Sequence, residues 1–433
     1  MTMYDVTSRR EPPTGPDNSE AVVSVELARS NPRIFYGWFV VAATFAVTFV
    51  GFGAAYSFSA FLGSLQHDFA ASRGSVSLVF SFAGFFYFAL GVISGPLADR
   101  WGSRRLAVAG MILTGVSLAV ASAARNLVEV YLAYGLGVGL GIGCSYVPAV
   151  GAVQRWFHKR RGFASGLAVS GIGVGTLVVP PIMAMLIENL GWRAAYLVLG
   201  VFALIVGAGM ALLIEDDPRN RGLAPDGDPL PADAQPRETP GLAVGTAIRS
   251  RRFVGLYAAC LVCSFGLFVP FVHLVPYALD HGIAQTSAVV LVGMIGAGST
   301  AGRFLLGGVA DRMGRPLAFL TMFVGMALAF VIWLFSATLW PLAAFAFVFG
   351  VFYGGFVAVA PAIVTDYFGG RNAGSLIGIL YTSVAFGTLI GPSLAGFAFD
   401  VSHSYTLPIL ASIGANLVAA GILAATSRAP AMS

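Results

Sequence analysis

Long apolar runs constrain the fold of this chain more than any other feature. A helix needs about 20 consecutive apolar residues to cross the roughly 30 Å hydrocarbon core of a bilayer. Runs of this kind are predicted over residues 36–62, 77–98, 104–124, 128–152, 162–187, 193–214, 253–279, 286–309, 316–337, 340–364, 373–398 and 405–427. Only 10% of the residues are charged, against about 25% in soluble domains. The sequence therefore predicts an all-α membrane protein with twelve transmembrane helices, and not a soluble protein with twelve buried helices.

The basic residues predict how the chain is oriented. With the N-terminus inside, the connections after even-numbered spans contain Arg100, Arg104, Arg105, Arg155, Lys159, Arg160, Arg161, Arg312, Arg315 and Arg371. The connections after odd-numbered spans contain Arg73, Arg125 and Arg193. By the positive-inside rule both termini are cytoplasmic, in a plasma (inner) membrane. The net charge of +5 thus reflects membrane topology, and no nucleic-acid partner is expected, because no basic patch alternates with aromatic residues.

Hydrophilic segments divide the chain into two groups of six spans. Residues 1–33 are polar and rich in proline, and they are predicted to form a disordered cytoplasmic tail. Residues 215–252 are the long hydrophilic interior stretch and are predicted to be a cytoplasmic central loop. The expected domains are therefore an N-terminal six-helix bundle over 34–214 and a C-terminal six-helix bundle over 253–427, followed by a short cytoplasmic tail over 428–433.

The two groups of spans repeat each other. "GPLADRWGSRR" begins at Gly95, between spans two and three, and "GGVADRMGRP" begins at Gly307, between spans eight and nine. Asp99 and Asp311 are therefore 212 residues apart, and several other motifs keep nearly the same offset. A constant offset predicts a duplicated six-helix unit, so the bundles are expected to be pseudo-symmetric. Duplicated halves that face each other across a midplane site are the architecture with which secondary transporters achieve alternating access.

These features resemble a known family. Twelve spans in two sixes, with the G-x-x-A-D-R-x-G-x-R-R loop in the first half and its G-x-x-A-D-R-x-G part in the second, resemble the major facilitator superfamily from about residue 34 to 427. "RWFHKRRGFASGLAVSGIGVG", which begins at Arg155, is similar to a signature of monocarboxylate transporters and of the oxalate/formate antiporter. The resemblance implies a secondary transporter of small organic anions that uses no cofactor.

The charged residues of the repeated loop form a candidate conformational gate. Its predicted members are Asp99, Arg100, Arg104, Asp311, Arg312 and Arg315. A carboxylate at such a helix end can hold neighbouring helices by charge-assisted hydrogen bonds that break when the cytoplasmic side opens. The alternative is that these charges only fix the topology.

Two features of residues 162–187 predict local geometry. Gly171 and Gly175 lie in small-xxx-small spacing, which predicts that another helix backbone approaches closely. Pro180 and Pro181 predict an interruption of the helix, as a gate hinge or as a plain kink.

Arg303 lies inside an apolar run and is the candidate substrate anchor. It is eight residues before Asp311, about 12 Å along a helix, so it is predicted near the midplane. A charge at that depth costs at least about 2.5 kcal/mol. The side chain could reach the cytoplasmic surface, but otherwise it needs an anion, and none of the twenty acidic residues is predicted at midplane depth. A guanidinium binds a carboxylate through two parallel hydrogen bonds, so a substrate anion is the expected partner.

The family resemblance adds candidate binding residues. It implies that Arg303 matches the substrate-site arginine of the eighth helix in monocarboxylate and oxalate carriers. It also implies that Tyr56, Tyr146 and Tyr353 line the site, with simple helix packing as the alternative for each. A lysine of the oxalate carrier is replaced here by Ser383, so a monocarboxylate is favoured over a dianion.

Proton coupling has one candidate residue. In animal monocarboxylate carriers an aspartate lies one turn before the arginine, but here that position is Ser299, so coupling through a carboxylate is not expected. His273 lies well inside a span and could titrate near neutral pH. The alternative is a neutral histidine that hydrogen-bonds a helix carbonyl.

Other functional classes fit the sequence poorly. There is no metal-ligand cluster, phosphate-binding loop or nucleophile–base pair, so neither an enzyme nor a metal site is expected, and Cys260 and Cys263 are expected to pack in a helix. A proton-coupled exporter of hydrophobic cations would need an acid at the midplane. The sequence favours a permease for a small monocarboxylate such as lactate or pyruvate, working by alternating access with protons as the candidate symported ion. The alternative is an organic-anion or drug exporter or antiporter of the same fold.

Overall fold

The computed structural model describes residues 35–157, 159–227, 241–369 and 371–427, without the side chains of Asp99, Arg161, Asp311 and Ser427. The predicted tails, 1–33 and 428–433, lie outside these residues. Everything below concerns the described part of the chain.

The chain folds into helices that match the predicted apolar runs. They are α1 (Gly37–Tyr56), α2 (Phe58–Phe69), α3 (Arg73–Ala89), α4 (Gly91–Trp101), α5 (Ser103–Ser122), α6 (Leu127–Trp156), α7 (Arg161–Phe202), α8 (Arg251–Leu267), α9 (Val269–Asp280), α10 (Gln285–Met313), α11 (Arg315–Leu334), α12 (Leu339–Phe368), α13 (Ala373–Ser402) and α14 (Thr406–Ser427). We call residues 37–211 the first half and residues 251–427 the second half. The described residues contain no strand beyond the isolated bridge between Gly241 and Gly369.

The described helices account for twelve crossings of a membrane. Ten are long and apolar enough to cross, and α3 and α4 form an eleventh span with a bend of 41°. One of the ten, Gly162–Ala211, has 50 residues and would be about 75 Å long, more than twice the hydrocarbon thickness. Gly191 (φ 81°, ψ 161°) is non-helical and divides it into two crossings. The prediction of twelve transmembrane helices is therefore confirmed.

The break in this long helix does not lie where the prolines predicted it. The helix continues through Pro180 and Pro181, and its non-helical residue is Gly191, which lies in the connection predicted between spans 162–187 and 193–214. Prolines are tolerated in membrane helices because neighbouring groups satisfy the freed carbonyls. The positive φ at Gly191, by contrast, favours a residue without a Cβ. The helix is therefore not broken at Pro180 and Pro181, and a plain kink there stays a prediction.

The repeated loop has the same backbone conformation in both halves. Gly102 ends α4 with φ 90° and ψ 138°, and Gly314 ends α10 with φ 88° and ψ 132°. Each positive φ is a conformation that glycine adopts without steric cost. The agreement at positions 212 residues apart supports the predicted duplication. We call the end of the molecule with these two turns the motif end, and the opposite end the Arg73 end.

At the motif end, the segment between the halves is fastened at both of its sides. Arg104 donates to a Glu215 carboxylate oxygen at 2.6 Å, and the Trp156 indole donates to the Glu215 carbonyl at 2.7 Å. On the other side the Leu242 amide donates to the Phe368 carbonyl at 2.9 Å. One side of the connecting segment is thus held by the first half and the other by the second half.

At the Arg73 end, polar contacts join the two halves. Arg73, at the start of α3, donates two hydrogen bonds to the Asp280 carboxylate, at 2.6 and 2.7 Å. Asp400 of α13 accepts from the backbone amides of Arg73 and Gly74 at 3.0 and 2.9 Å, and the guanidinium lies 4.0 Å from the centre of the Phe399 ring. We call Arg73, Asp280 and Asp400 the inter-half junction.

Glycines bring α7 against two helices. A Cβ on Gly171 or Gly175 would lie 2.3 or 2.4 Å from the carbonyl oxygen of Phe45 or Phe49 in α1, so the predicted close approach occurs within the first half. Gly173, on another face, meets α10 of the second half, where a Cβ would lie 2.1 Å from the Thr300 hydroxyl. Helix α7 therefore forms part of the contact between the halves.

Candidate functional site

Arg303 lies in the buried contact between α10 and α7. Its side chain is 6% exposed, and Nη1 donates to the Val169 carbonyl of α7 at 2.5 Å. The side chain thus reaches across to the first half and does not extend to solvent. Among the described residues no carboxylate pairs with it.

The remaining donors of Arg303 lie on one edge of the guanidinium. Nε and Nη2 are buried and have no hydrogen-bond partner among the described residues. These two nitrogens carry the parallel N–H bonds that bind both oxygens of a carboxylate. A buried charge without partners is costly, so the free edge is a candidate position for an anion.

A pair of tyrosines crosses between the halves beside this arginine. The Tyr56 hydroxyl of α1 is hydrogen-bonded to the Tyr353 hydroxyl of α12 at 3.0 Å. Phe271 of α9 packs on both rings, with centroid distances of 4.4 and 5.2 Å. Both tyrosines are close enough to interact electrostatically with Arg303. The structure thus brings together three of the predicted site residues.

A fourth predicted residue, Tyr146 of α6, also interacts electrostatically with Arg303. Its ring contacts Phe52 with a centroid distance of 5.1 Å. Tyr381 of α13, which was not a candidate from the sequence, also interacts electrostatically with the guanidinium of Arg303. Phenols from four helices therefore surround Arg303 and would give an anion apolar walls with hydroxyl donors.

Two serines have different environments. Ser383 is buried, and its hydroxyl donates to the Leu380 carbonyl of its own helix at 2.6 Å. This hydroxyl, which was predicted to contact substrate, therefore makes a hydrogen bond within α13 in the structure. Ser299, one turn before Arg303, is buried with a hydroxyl that has no partner among the described residues.

His273 lies at the inter-half junction and not beside Arg303. Nε2 is 2.8 Å from the Pro392 carbonyl, which can only accept, and Nδ1 is 3.0 Å from the Tyr405 hydroxyl. Arg73 in turn donates to Tyr405 at 3.1 Å. A neutral ring satisfies both contacts, as in the alternative of a neutral histidine that bonds a helix carbonyl. Its role in proton coupling stays a prediction.

Two of the predicted gate residues have described bonds, Arg104 to the segment that follows the first half and Arg315 within the second half. Arg104 binds Glu215 and the Ile214 carbonyl, and Arg315 binds Asp366 and the Ala362 carbonyl. Arg100 and Arg312 are exposed. The side chains of Asp99 and Asp311 are not among those that the structure describes. Gating by this group stays a prediction. Among the described residues, the ion pair between the halves joins Arg73 to Asp280. In the sequence, Arg73 could have been noticed because the connections after odd-numbered spans contain few arginines.

Comparison with known proteins agrees with this architecture. A family model described as the Major Facilitator Superfamily matches residues 43–317 and 263–432. The chain is 32% identical to monocarboxylate transporter 11 of Mus musculus over 385 residues, which cover 87% of this chain and 84% of that one. It is 28% identical to monocarboxylate transporter 12 of Xenopus laevis over 416 residues, covering 92% and 90%.

A solved structure also has this fold. A bacterial homologue of the human lysosomal transporter Spinster, in an inward-facing and unoccupied conformation, matches with a TM-score of 0.69 over 92% of this chain and 98% of that one. At 16% identity this similarity shows the fold alone.

Fold, repeat and comparisons define a multi-pass membrane transporter, not an enzyme. The chain belongs to the major facilitator superfamily, in its monocarboxylate transporter family.

Proposed function

We propose that this transporter moves small monocarboxylates, of the size of lactate or pyruvate, by alternating access. The observation that carries the proposal is the buried Arg303, whose Nε and Nη2 have no partner among the described residues. A single carboxylate satisfies both N–H bonds and neutralises the charge. Because Ser383 stands where a second cation would be needed, a dicarboxylate would be only half compensated.

The site also supports a mechanism. Arg303 belongs to the second half but donates to Val169 of the first, and Tyr56 bonds Tyr353 across the same boundary. An anion bound at this boundary contacts both halves and so changes the balance between their two arrangements. We place both termini in the cytoplasm of a plasma (inner) membrane, with the motif end facing the cytoplasm, on the distribution of arginines.

Protons are the proposed coupling ion, with His273 as their carrier. A proton on Nδ1 would remove the acceptor for Tyr405 and place a second cation near Arg73. Both effects weaken the inter-half junction. Proton binding would in this way favour opening at the Arg73 end.

The decisive experiment measures ligand stabilisation of the purified protein. Thermal unfolding is followed with a panel of mono- and dicarboxylates for the wild type, Arg303→Ala and Arg303→Lys. Ligands that bind the folded state raise its stability by mass action. We expect monocarboxylates to stabilise the wild type, Arg303→Ala to abolish the effect, and Arg303→Lys to weaken binding at least about tenfold, because a lysine lacks the two parallel N–H bonds.

The control is Arg105→Ala, which removes an arginine that is exposed at the motif end. We expect it to leave ligand binding unchanged. Monocarboxylate stabilisation that survives in Arg303→Ala would exclude this residue as the anchor, and equal stabilisation by dicarboxylates would contradict the proposed substrate class.

A further inference from the structure

A basic segment leads into the first helix of the second half. Residues 249–252 are Arg-Ser-Arg-Arg, and α8 begins at Arg251. Residues 241–279 contain no acidic side chain. Arg249 and Arg251 are exposed, and neither forms an ion pair among the described residues. The described part of the protein therefore leaves these two positive charges without a counter-charge.

Arg251 heads the face of α8 that points away from the other helices. The exposed or half-buried positions along this face are Arg251, Val254, Ala258 and Leu261, which have the spacing of one side of a helix. Val254 is 55% exposed, whereas its neighbour Phe253 is 3% exposed. An exposed apolar side chain of a transmembrane helix contacts lipid tails, so this is the lipid-facing side of α8.

The two free arginines lie at the depth of lipid headgroups. Arg251 precedes Val254 by three residues, about 4.5 Å along the helix axis, and so lies just outside the hydrocarbon region that Val254 contacts. Arg249 is two residues farther from that region. Arginine side chains at helix ends reach the headgroup level with their charged groups. A headgroup phosphate is therefore within reach of both guanidinium groups.

Two simpler explanations for these arginines account for less. They do not stabilise α8, because the N-terminal end of a helix favours negative charge and α8 has no acid in its first turn. The positive-inside rule explains arginines at the motif end, but it does not require them on a lipid-facing side. Arg219 and Arg221, at the same end, lie instead 4.0 and 3.6 Å from the carboxylates of Asp217 and Glu215.

We propose that Arg249 and Arg251 bind the phosphate of an anionic phospholipid, of the phosphatidylglycerol type, in the leaflet at the motif end. Guanidinium groups bind phosphate oxygens through paired hydrogen bonds, and an anionic membrane surface attracts basic residues next to a transmembrane helix. The proposal goes beyond the proposed function, since it does not need Arg303 to bind a carboxylate.

The lipid would add a membrane attachment to the segment between the halves. The Leu242 amide of this segment donates to the Phe368 carbonyl at 2.9 Å, and the Asn372 side chain donates to the Leu242 carbonyl at 2.9 Å. A lipid on Arg249 and Arg251 holds the same segment from the other side. Lipid binding is therefore expected to stabilise the folded protein.

The test measures lipid binding to the purified full-length protein in neutral detergent micelles. Dioleoyl-phosphatidylglycerol is added at increasing mole fraction and compared with dioleoyl-phosphatidylcholine, which has the same acyl chains and a phosphate but no net charge. Thermal unfolding measures stabilisation, and native mass spectrometry counts the lipids retained. We expect phosphatidylglycerol to bind the wild type more tightly than phosphatidylcholine does. In Arg249→Gln combined with Arg251→Gln we expect its affinity to fall at least about tenfold, because two charges that attract the headgroup are lost.

Arg219→Gln combined with Arg221→Gln is the matched control. It removes the same charge at the same end of the molecule, but from arginines that lie beside acids. We expect its affinity for phosphatidylglycerol to stay within about twofold of the wild type. Inorganic phosphate and glycerol 3-phosphate test for a soluble source of the same chemistry, and we expect neither to stabilise the wild type as phosphatidylglycerol does.

The opposite results would overturn the site. An equal loss of affinity in the two double variants would show a general effect of positive charge. Equal stabilisation by phosphatidylcholine, or by inorganic phosphate, would exclude an anionic lipid as the ligand. Stabilisation by monocarboxylates should persist in Arg249→Gln with Arg251→Gln, which separates this proposal from that for Arg303. If the variant does not fold, a wild type without preference for phosphatidylglycerol over phosphatidylcholine would still contradict the proposal.

Discussion

At the scale of single residues, the sequence indicated Arg303 as the candidate anchor but not the residues around it. Arg303 could be recognised because a charge in an apolar run needs a partner, and no acid was predicted at its depth. The hydrogen bond to Val169 could not be predicted, since it depends on how α7 crosses α10. Tyr381 was missed because a tyrosine in a membrane helix looks the same in sequence whether it faces lipid, the protein core or a binding site.

The position of His273 leads to a prediction about pH. Replacing it by glutamine preserves a neutral hydrogen-bonding side chain but removes the group that can accept a proton. We expect His273→Gln to transport with a flatter dependence on pH, because the junction of Arg73 with Asp280 can no longer be loosened by protonation. Uptake in proteoliposomes between about pH 4 and about pH 8 measures this; the range extends below that of an ordinary histidine, because burial of the ring disfavours its charged form.

His67→Gln is the control for that experiment. The His67 side chain is 92% exposed and touches none of the groups at the junction described here. An unchanged pH profile in His273→Gln would remove His273 from the coupling scheme and leave it as a structural residue.

At the scale of helices, hydrophobic runs predicted where the elements are, but not where they bend. Most helices match the predicted spans because the length of an apolar run follows from the thickness of the bilayer. The break at Gly191 falls in the connection predicted between spans 162–187 and 193–214, whereas Pro180 and Pro181 lie inside the helix and do not break it. Whether a proline bends a membrane helix depends on neighbours that can satisfy the freed carbonyl, and those neighbours are not visible in the local sequence.

The crossing of α7 and α10 provides a prediction about packing. A Cβ on Gly173 would lie 2.1 Å from the Thr300 hydroxyl and 2.7 Å from the Gly296 carbonyl oxygen, so Gly173→Ala must push the helices apart. We expect a loss of about 1–3 kcal/mol in the free energy of unfolding, together with reduced uptake. Thermal unfolding and proteoliposome uptake measure the two effects.

Gly63→Ala in α2 is the matched substitution, because no atom lies within 4 Å of the added Cβ. In an open helical position alanine is favoured over glycine by up to about 1 kcal/mol. If Gly173→Ala and Gly63→Ala are equally stable, α7 and α10 can move apart at this crossing with little loss of free energy.

At the scale of the whole molecule, the repeat in the sequence predicted two similar halves, and the matching turns at Gly102 and Gly314 agree. How the halves meet could not be predicted in the same way. The inter-half junction joins residues more than 200 positions apart, at the end opposite the repeated motif. No periodicity marks such a contact, because its members come from three different helices, α3, α9 and α13.

Breaking the junction should change the balance between arrangements. Arg73→Ala removes the bidentate bond to Asp280, and the loss of even about 1 kcal/mol shifts a two-state population about fivefold. Ser81, whose hydroxyl meets that of Ser393 across the boundary at 2.7 Å, serves as reporter. In a background without native cysteines, we expect a cysteine at position 81 to be labelled severalfold faster by a polar maleimide when Arg73 is replaced.

Arg193→Ala is the matched control for this experiment. Arg193 makes a 2.7 Å ion pair with Asp68 and lies 4.2 Å from the Trp192 ring centre, so it has the same kinds of contact within the first half alone. Labelling that rises equally in both variants would mean that general loosening, and not separation of the halves, exposes the reporter.

The fastening of Glu215 to the first half and of Leu242 to the second has a consequence for the range of motion. If those contacts persist while the halves move relative to each other, only the chain between Glu215 and Leu242 can extend to accommodate the movement. The twenty-six residues 216–241 can extend to at most about 90 Å, so the covalent length of this stretch sets an upper limit on how far the two anchor points can separate. Natural shortening or lengthening of this stretch would therefore change how far the two halves can separate without changing any residue that contacts the substrate.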